Sequence, residues 1–311
     1  MRIFAIESSH DDTSFAILEN NKPIWMKTIS QTGVHKKYGG TVPEIASRLH
    51  VQNISLLLDE FANSSLNLFS NIDYISYTKE PGLIGSLQIG YIVAQTLARV
   101  YKIPILGLDH LEGHFYSAFI EKELEFPALA LLVSGGHSQI MLYKNKDTFE
   151  IIGQTQDDAV GEVYDKVARK LNLGFPGGPL IDKIWNDNKH LYTNHFSIPH
   201  TEKEFNFSFS GIKTAVINNV NNLVNRKQDI NVSKIATEFQ NTIILYLKNH
   251  LEAAIKIYKP KCIALVGGVS ANKAIRDMVL KLHKNVYLPD MKYTTDNAMM
   301  IARLTYEKLR K

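Results

Sequence analysis

The sequence predicts an α/β protein of two similar lobes, each built on a mixed sheet. Two segments share one plan: RIFAIESSHDDTSFAILEN from Arg2 and ALALLVSGGHSQIMLYKN from Ala128 are apolar runs on either side of a small polar turn. This pattern is typical of a β-hairpin. After each hairpin, strand-like and helix-like segments alternate, as crossover connections between parallel strands require. A chain of 311 residues is long enough for two packed lobes.

The first half continues beyond its hairpin with alternating strands and helices. The predicted order is strand 24–30, helix 43–61, strand 72–78, helix 84–100 and strand 103–108. The first of these helices opens with TVPE, which combines a capping-box spacing with a proline in the first turn.

The second half repeats this alternation with more helices. The predicted order is strand 149–152, helices 161–171, 213–223 and 233–258, strand 262–267, helix 270–282, strand 285–289 and helix 297–309. The Pro-Gly-Gly-Pro stretch at 176–179 is expected to be a loop. These elements place one lobe at residues 1–109 together with 297–311, and the other lobe at residues 110–296.

Composition excludes several classes of protein. The single cysteine, Cys262, permits neither an internal disulfide nor a cysteine-based zinc site, and its apolar surroundings indicate a buried strand. We expect a reducing, cytoplasmic location without a membrane partner, because the N-terminus is not apolar enough for a signal peptide and no run of 18 apolar residues occurs. The net charge of +4 fits an ordinary lysine-rich surface or a polyanionic partner.

The stretch DHLEGH at 109–114 suggests a metal site. His110 and His114 are four residues apart on a predicted helix, so both imidazoles face the same way. Such a pair can ligate one divalent ion or can be two ordinary histidines, and Asp296 before the last helix offers a third ligand. Glu112 follows His110 by two residues, about 200° around the axis, which disfavours a zinc protease of the H-E-x-x-H type.

Glycine-rich turns suggest a place for phosphate. Two facing hairpin turns could hold phosphate between the lobes through backbone N–H groups, although neither a P-loop nor a G-x-G-x-x-G motif occurs. In LVGGVSAN at 265–272, a buried strand ends in two glycines before a helix, which is where α/β folds bind ligands. Asn272 there can contact a ribose or base, or can simply begin the helix.

The first hairpin turn is rich in acids. Asp11 and Asp12 can act as a general base or hold a water or metal. Equally, they can be ordinary turn residues, because aspartate favours turns.

Nine blocks in order resemble one family. They are IESSHDDT, YGGTVPEIASRLH, DHLEGH, LLVSGGHSQI, DDAVGEVYDKVARKL, FPGGP, FSFSGIKT, GGVSAN and TTDNAMM. From end to end, the chain resembles the TsaD family of tRNA N6-adenosine threonylcarbamoyltransferases, formerly described as glycoproteases. The resemblance implies the actin, sugar-kinase and heat-shock-protein (ASKHA) fold, two lobes with a cleft. It also implies transfer of a threonylcarbamoyl group from threonylcarbamoyl-AMP to the adenosine 3′ of the anticodon in tRNAs reading codons that begin with A.

The same resemblance implies the site residues and partners. His110, His114 and Asp296 match the family's metal ligands, with iron(II) expected and zinc or magnesium as alternatives, and Asp11 and Asp12 match its catalytic acids. The implied adenylate site comprises Leu132, Val133, Ser134, Gly135, Gly136, Asp165, Gly178, Asp182 and Asn272. The implied partners are tRNA, a TsaB-like paralogue and a TsaE-like ATPase. His10 stands where the family usually has cysteine, so a thiol role at this turn is dispensable.

Two other function classes fit the same fold. One is an ATP-dependent kinase or ATPase whose cleft binds ATP. The other is a regulatory ATP-sensing module without its own chemistry. Turnover of threonylcarbamoyl-AMP with unmodified tRNA would separate the three.

Overall fold

The computed structural model describes residues 1–64, 69, 71–199, 201 and 204–310. The chain divides into two compact units: unit 1 is Met1–Glu123 with Pro289–Lys311, and unit 2 is Leu124–Leu288. The lobe boundaries at 109/110 and 296/297 stay a prediction. In the structure, residues 110–123 and 289–296 belong to unit 1, where the helix beginning at His110 packs against the C-terminal helix.

Unit 1 contains a five-stranded sheet in the order β3-β2-β1-β4-β5. Its elements are β1 (Arg2–Glu7), β2 (Asp12–Glu19), β3 (Lys22–Ser30), α1 (Thr32–His35), α2 (Pro43–Ala62), β4 (Tyr74–Glu80), α3 (Ile84–Tyr101), β5 (Ile105–Asp109), α4 (His110–Ser117) and α10 (Ala298–Leu309). The hairpin strands pair antiparallel, whereas β1, β4 and β5 are parallel. The predicted first hairpin and mixed sheet are therefore present.

Unit 2 repeats this arrangement with the sheet order β10-β9-β6-β7-β8. Its elements are β6 (Ala128–Val133), β7 (Ser138–Asn145), β8 (Thr148–Gln154), α5 (Val160–Lys170), α6 (Gly177–Asn188), α7 (Ser210–Asn225), α8 (Val232–Tyr258), β9 (Cys262–Val266), α9 (Lys273–Val279) and β10 (Val286–Tyr287). Strands β6, β7 and β8 pair antiparallel, and β6, β9 and β10 are parallel. The predicted α/β class with duplicated mixed sheets is confirmed.

The central strand of unit 1 is covered on both faces. Helix α10 packs on β1 and β2, while Phe4 and Phe15 of the sheet join Phe61 of α2 in an apolar cluster. Every residue of β1 from Ile3 onward is buried. This two-sided burial explains why β1 reads as a continuous apolar run rather than as an alternating one.

The Pro-Gly-Gly-Pro stretch corrects one expectation, since it opens a helix rather than forming a loop. Helix α6 begins at Gly177, and the proline at position 179 lies in its first turn, where its missing N–H is tolerated. A Cβ on Gly177 would lie 2.5 Å from Cβ of Ala168 and 2.7 Å from the carbonyl oxygen of Tyr164. Only glycine lets α6 begin this close to α5.

Two other segments also differ from the sequence prediction. The helix expected over 270–282 is a 3-10 turn, Gly268–Ala271, followed by the shorter α9. The short helix α1 and the 3-10 turn Lys36–Tyr38 had no predicted counterpart. Among the described residues, no helix is both long enough and apolar enough to cross a membrane.

Candidate active site

Helices α4 and α10 bring the predicted metal ligands together. His110 begins α4, where the Asp109 side chain caps the helix by accepting hydrogen bonds from the N–H groups of Leu111 and Glu112. A Cβ on Gly113 would lie 2.8 Å from Cδ1 of Ile301 on α10, so glycine permits the close packing of the two helices. Asp296 lies just before α10, whose first turn is capped by the side chain of Asn297.

The three predicted ligands converge on one point. Nε2 of His114 lies 3.1 Å and Nε2 of His110 3.5 Å from the same oxygen, Oδ1 of Asp296. One ligand atom from each residue lies within 4.8 Å of the others. Donors that share an ion at about 2.0–2.2 Å stand roughly 3–3.5 Å apart. The spacing and the donor set therefore fit a divalent metal.

Glu112 takes no part in this cluster. Its Oε2 lies 2.9 Å from Nζ of Lys308 on α10. The helical geometry predicted that Glu112 would point away from the histidine pair, and this contact agrees with that prediction.

Glu7, to which the sequence analysis gave no role, orients His110. It is fully buried at the end of β1 and accepts hydrogen bonds from the Ser9 N–H and the Thr78 hydroxyl. Its Oε2 also lies 3.2 Å from Nδ1 of His110. A carboxylate behind a metal-binding imidazole fixes the ring orientation and raises its basicity. A glutamate at the end of an apolar strand was the available sequence signal.

The electrostatics of the cluster favour a bound cation. Burial acts to lower the pKa of His110, but the charges of Asp296 and Glu7 outweigh burial and raise that pKa to about 9. Burial acts to raise the pKa of Asp296, but the imidazoles of His110 and His114 hold it below its usual range. Two carboxylates thus stabilise positive charge at the position where the three ligand atoms meet.

The turn between β1 and β2 places Asp11 and Asp12 near this cluster. Nδ1 of His10 lies 2.8 Å from Oδ1 of Asp11, and Oδ2 of Asp11 accepts from the Thr41 hydroxyl at 3.5 Å. Oδ1 of Asp12 is buried without a hydrogen-bond partner among the described residues. Burial, reinforced by the negative charge of Asp296, raises the pKa of Asp12 to about 7.

His50 of α2, a second residue without a predicted role, holds this turn in place. The ring is fully buried, and its Nε2 lies 2.9 Å from the carbonyl oxygen of His10. Because a carbonyl oxygen only accepts, Nε2 carries the proton, and Nδ1 accepts from the Thr13 hydroxyl at 2.8 Å. Burial lowers the pKa of His50, which keeps the ring neutral for both bonds.

In unit 2, the turn between β6 and β7 is built from Ser134 and two glycines. The Ser134 hydroxyl accepts from the N–H groups of Gly136 and His137 at 3.3 and 3.0 Å. A Cβ on Gly135 or Gly136 would meet nothing within 4 Å, so a ligand can approach the backbone here. Leu132 and Val133 have fully buried side chains and can contact a ligand only through backbone groups.

Two glycines from other elements pack against the end of β6 and the turn that follows it. Gly161, at the start of α5, donates its N–H to the carbonyl oxygen of Ser134 at 3.1 Å, and a Cβ there would lie 2.6 Å from that oxygen. After β9, Gly267 has a φ of +87°, and a Cβ on it would lie 2.5 Å from the carbonyl oxygen of Val133. Both positions require glycine because the backbones approach so closely.

The predicted polar residues of the adenylate site cap helices. Asp165 accepts the N–H of Gly177, next to Gly178, at 2.6 Å. Asp182 accepts the N–H of Lys273 at 2.9 Å, and Asn272 accepts that of Ile275 at 3.0 Å. Gln240, which the sequence analysis missed, donates through Nε2 to both Asp182 and Asn272 at 3.0 Å. These contacts connect Asp165, Asp182 and Asn272 through α6.

Comparison with known proteins identifies the family. The profile described as TsaD, tRNA N6-adenosine threonylcarbamoyltransferase, matches residues 24–303. The chain belongs to the TsaD family. A tRNA N6-adenosine threonylcarbamoyltransferase of Metamycoplasma arthritidis is 70% identical over 310 residues, covering 100% of this chain and 99% of that protein. One from Mycoplasmopsis agalactiae is 50% identical over 310 residues, with the same coverage.

TsaD membership confirms the prediction of an acyltransferase that modifies tRNA. It favours this activity over the kinase, the ATPase and the binding module. The lobe boundaries and the roles of individual site residues stay predictions.

Solved structures confirm the predicted ASKHA-type fold of this TsaD family member. Full-length HypF in its phosphate- and nucleotide-bound form superimposes with a TM-score of 0.64 at 12% identity, covering 99% of this chain and 55% of HypF. The chain thus spans about half the length of HypF. Component A of the Acidaminococcus fermentans (R)-2-hydroxyglutaryl-CoA dehydratase gives 0.54 at 13% identity, covering 99% of this chain and 98% of that protein. At such identities the likeness concerns the fold alone.

Proposed function

We propose that this chain transfers the threonylcarbamoyl group of threonylcarbamoyl-AMP to the amine of the adenosine 3′ of the anticodon, in tRNAs reading codons that start with A. The products are N6-threonylcarbamoyladenosine and AMP. The observation that carries the proposal is the convergence of His110, His114 and Asp296 on one point in a chain of the TsaD family.

His110, His114 and Asp296 would hold one divalent metal in this proposal. Two imidazoles and one carboxylate suit iron(II) or zinc, whereas magnesium prefers an all-oxygen shell. When bound, the ion supplies Lewis-acid polarisation and a template for the threonylcarbamoyl group. Glu7 contributes by keeping the His110 ring in the orientation that points Nε2 at the shared site.

Asp12 or Asp11 would accept the proton released by the attacking amine. In the transfer, the amine nitrogen bonds to the activated carbonyl carbon, the bond from that carbon to the phosphate oxygen breaks, and AMP leaves with the electron pair. The nitrogen then loses a proton. A carboxyl with a pKa of about 7, as for Asp12, is matched to accepting a proton near neutral pH. Positioning of the reactants still contributes most to the rate, because the acyl carbon is already activated.

The adenylate would be held by unit 2. Gly135, Gly136 and Gly178 leave open space where a side chain would otherwise stand, so backbone N–H groups can approach a phosphate. Asp165, Asp182 and Asn272 support this region by fixing the starts of α6 and α9. In the proposal, Leu132, Val133 and Ser134 contribute backbone groups and the turn itself.

A TsaB-like paralogue and a TsaE-like ATPase are proposed as partners, with cytoplasmic tRNA as substrate. For the paralogue, helices α2 and α3 offer the contact. These helices pack on each other and expose large apolar side chains, with Leu56 59% and Ile92 55% exposed. Exposed apolar surface of this kind is typical of a protein interface.

The direct test supplies purified protein with synthetic threonylcarbamoyl-AMP and unmodified tRNA. The proposal expects AMP release coupled to threonylcarbamoyladenosine in the tRNA, detected by nucleoside mass spectrometry. A protein that hydrolyses ATP or phosphorylates a small acceptor, but leaves the tRNA unmodified under all metal conditions, would contradict it.

A further inference from the structure

A basic cavity lies on unit 2, outside the residues assigned above to the adenylate. Its volume is about 440 Å³, and its lining is cationic apart from one apolar side chain. The lining residues are Lys166, Arg169, Lys170, Lys213 and Ile217. Carboxylates contact two of the four cations, since Lys166 pairs with Asp158 and Glu162, and Lys213 pairs with Asp158. The lining still has more cations than these two acids neutralise, which favours an anionic ligand.

Asp158 holds the two sides of this cavity together. Its Oδ1 lies 3.1 Å from Nζ of Lys166 on α5, and its Oδ2 contacts Nζ of Lys213 on α7. Burial acts to raise the pKa of Asp158, but hydrogen bonds from Lys213 and Lys166 outweigh burial and lower it. The carboxylate therefore stays charged and fixes both lysines at the cavity.

The surrounding surface extends the positive charge. The segments 166–175 and 205–228 together carry six cations and not one carboxylate. Within them, α7 carries five asparagines and a single charged residue, Lys213, and is followed directly by Arg226 and Lys227. Four neighbouring acids offset part of this charge: Asp158, Glu162, Asp165, and Asp157, which accepts N–H groups at the start of α7. The remaining excess of two is half of the +4 that the whole chain carries.

We propose that this cavity and the adjoining surface of α7 form a docking surface for the phosphate backbone of the substrate RNA. Helix α7 has 16 residues and is about 24 Å long, so Lys213 near its start and Arg226 and Lys227 just after its end can contact phosphates that lie well apart. Lysine and arginine contacts to phosphate supply affinity without reading the bases. Asparagine side chains along α7 add hydrogen-bond donors for phosphate and ribose oxygens. The identity of the RNA as tRNA rests on the proposed function.

The test uses the full chain and compares two double variants. Arg169→Gln with Lys170→Gln removes two cations from the cavity and leaves the Asp158 contacts intact. The control, Lys281→Gln with Lys284→Gln, removes two exposed lysines elsewhere on unit 2. The dissociation constant for unmodified tRNA is measured from 50 to 200 mM salt. For the cavity variant we expect binding weaker by about tenfold and a salt slope lower by roughly 1.4–1.8, as for two lost phosphate contacts.

The control is expected to bind within about twofold of the wild type with an unchanged slope, and both variants should keep the wild-type melting temperature. Equal affinity and equal slope for the cavity variant and the wild type would overturn the inference.

Transfer activity of the wild type is measured in parallel to separate the two proposals. If tRNA binds through these cations but no transfer occurs, the proposed function fails and the docking surface stands. If transfer occurs while the cavity variant binds normally, the docking surface alone fails.

Discussion

Units 1 and 2 share one sheet topology but end their first strands in opposite ways. Strand β1 ends in the buried carboxylate Glu7, paired with Ser14, whereas β6 ends in the apolar Val133, paired with Ser138. Both serines accept an N–H from the start of a helix: Ser14 from Ala298 at 3.0 Å, and Ser138 from Val160 at 2.9 Å.

The helices held by the two serines differ in the groups that they bring to the site. In unit 1 that helix is α10, which is preceded by Asp296 and thereby completes a cluster of titratable side chains. In unit 2 it is α5, whose Gly161 packs against the backbone of Ser134. The same framework therefore presents side-chain ligands in one unit and open backbone in the other. Chemistry is expected from unit 1 and nucleotide binding from unit 2.

The largest expected effect tests this division directly. Asp296→Asn keeps the shape of the side chain but removes the charge that the two imidazoles face. We expect transfer to fall by roughly 10³-fold, since a metal contributes several kcal/mol to such a reaction, while threonylcarbamoyl-AMP binding stays within about threefold of the wild-type affinity. Single-turnover transfer and equilibrium dialysis measure the two quantities.

The matched control for this variant is Asp290→Asn, an exposed carboxylate in the connection before α10. It should retain wild-type transfer. Loss of adenylate binding in the folded Asp296→Asn protein would contradict the division of roles.

Two adjacent glycines after β9 test whether close backbone contact is what requires glycine in unit 2. Gly267→Ala forces a side chain onto a residue at φ +87° and against the carbonyl oxygen of Val133. The expected loss is about 2–4 kcal/mol in the free energy of unfolding, measured by urea denaturation. Gly268→Ala meets nothing within 4 Å and should change that free energy by less than about 0.5 kcal/mol. Equal losses would show that close backbone approach is not what requires glycine here.

Glu7→Gln tests whether metal binding in unit 1 depends on the carboxylate that contacts the His110 ring. Glutamine is similar in shape but leaves the His110 imidazole facing an uncharged partner. Metal affinity is expected to fall by about 10–100-fold, measured by competition with a chromogenic chelator. The control is Glu80→Gln, at the end of the neighbouring β4 and 64% exposed, for which no change is expected. An unchanged metal affinity in Glu7→Gln would show that Glu7 does not support metal binding by His110.

The smallest expected effect concerns the pH dependence of unit 1. The pKa of Asp12 is raised to about 7 from an ordinary value of 3.8, so the folded state binds its proton more tightly than the unfolded state. Stability is therefore lost as pH rises from about 4 through 7. Asp12→Asn escapes this loss and should melt roughly 2–4 °C higher than the wild type at pH 8.5 in the presence of a chelator. Below pH 4 the two proteins should melt alike, and a variant that melts lower at pH 8.5 would contradict a raised pKa of Asp12 in the folded state.

Local sequence patterns predicted most of the fold and part of the site. The hairpins follow from alternating apolar runs and small turns, and the histidine pair follows from its spacing of four on α4. The start of α6 was missed because Pro-Gly-Gly-Pro favours a loop locally, whereas its first turn is fixed by Asp165 and by contact with α5.

The remaining site residues depend on tertiary contacts that the sequence does not show. Glu7 acquires a role only because the end of β1 comes within 3.2 Å of His110 at the start of α4, and His50 acquires one because α2 packs on β2. His114 and Asp296, 182 positions apart in the sequence, meet because α4 packs on α10. The sequence could suggest Asp296 as a third ligand, but only the packing of two distant helices brings it within reach.

Metal stoichiometry is the decisive test of the site formed by His110, His114 and Asp296. Purified protein is reconstituted with iron(II) or zinc, freed of excess metal and analysed by inductively coupled plasma mass spectrometry beside folded His110→Ala and His114→Ala variants. We expect about one ion per wild-type chain and almost none in either variant. A full complement of metal in both folded variants would show that these side chains do not form the metal centre.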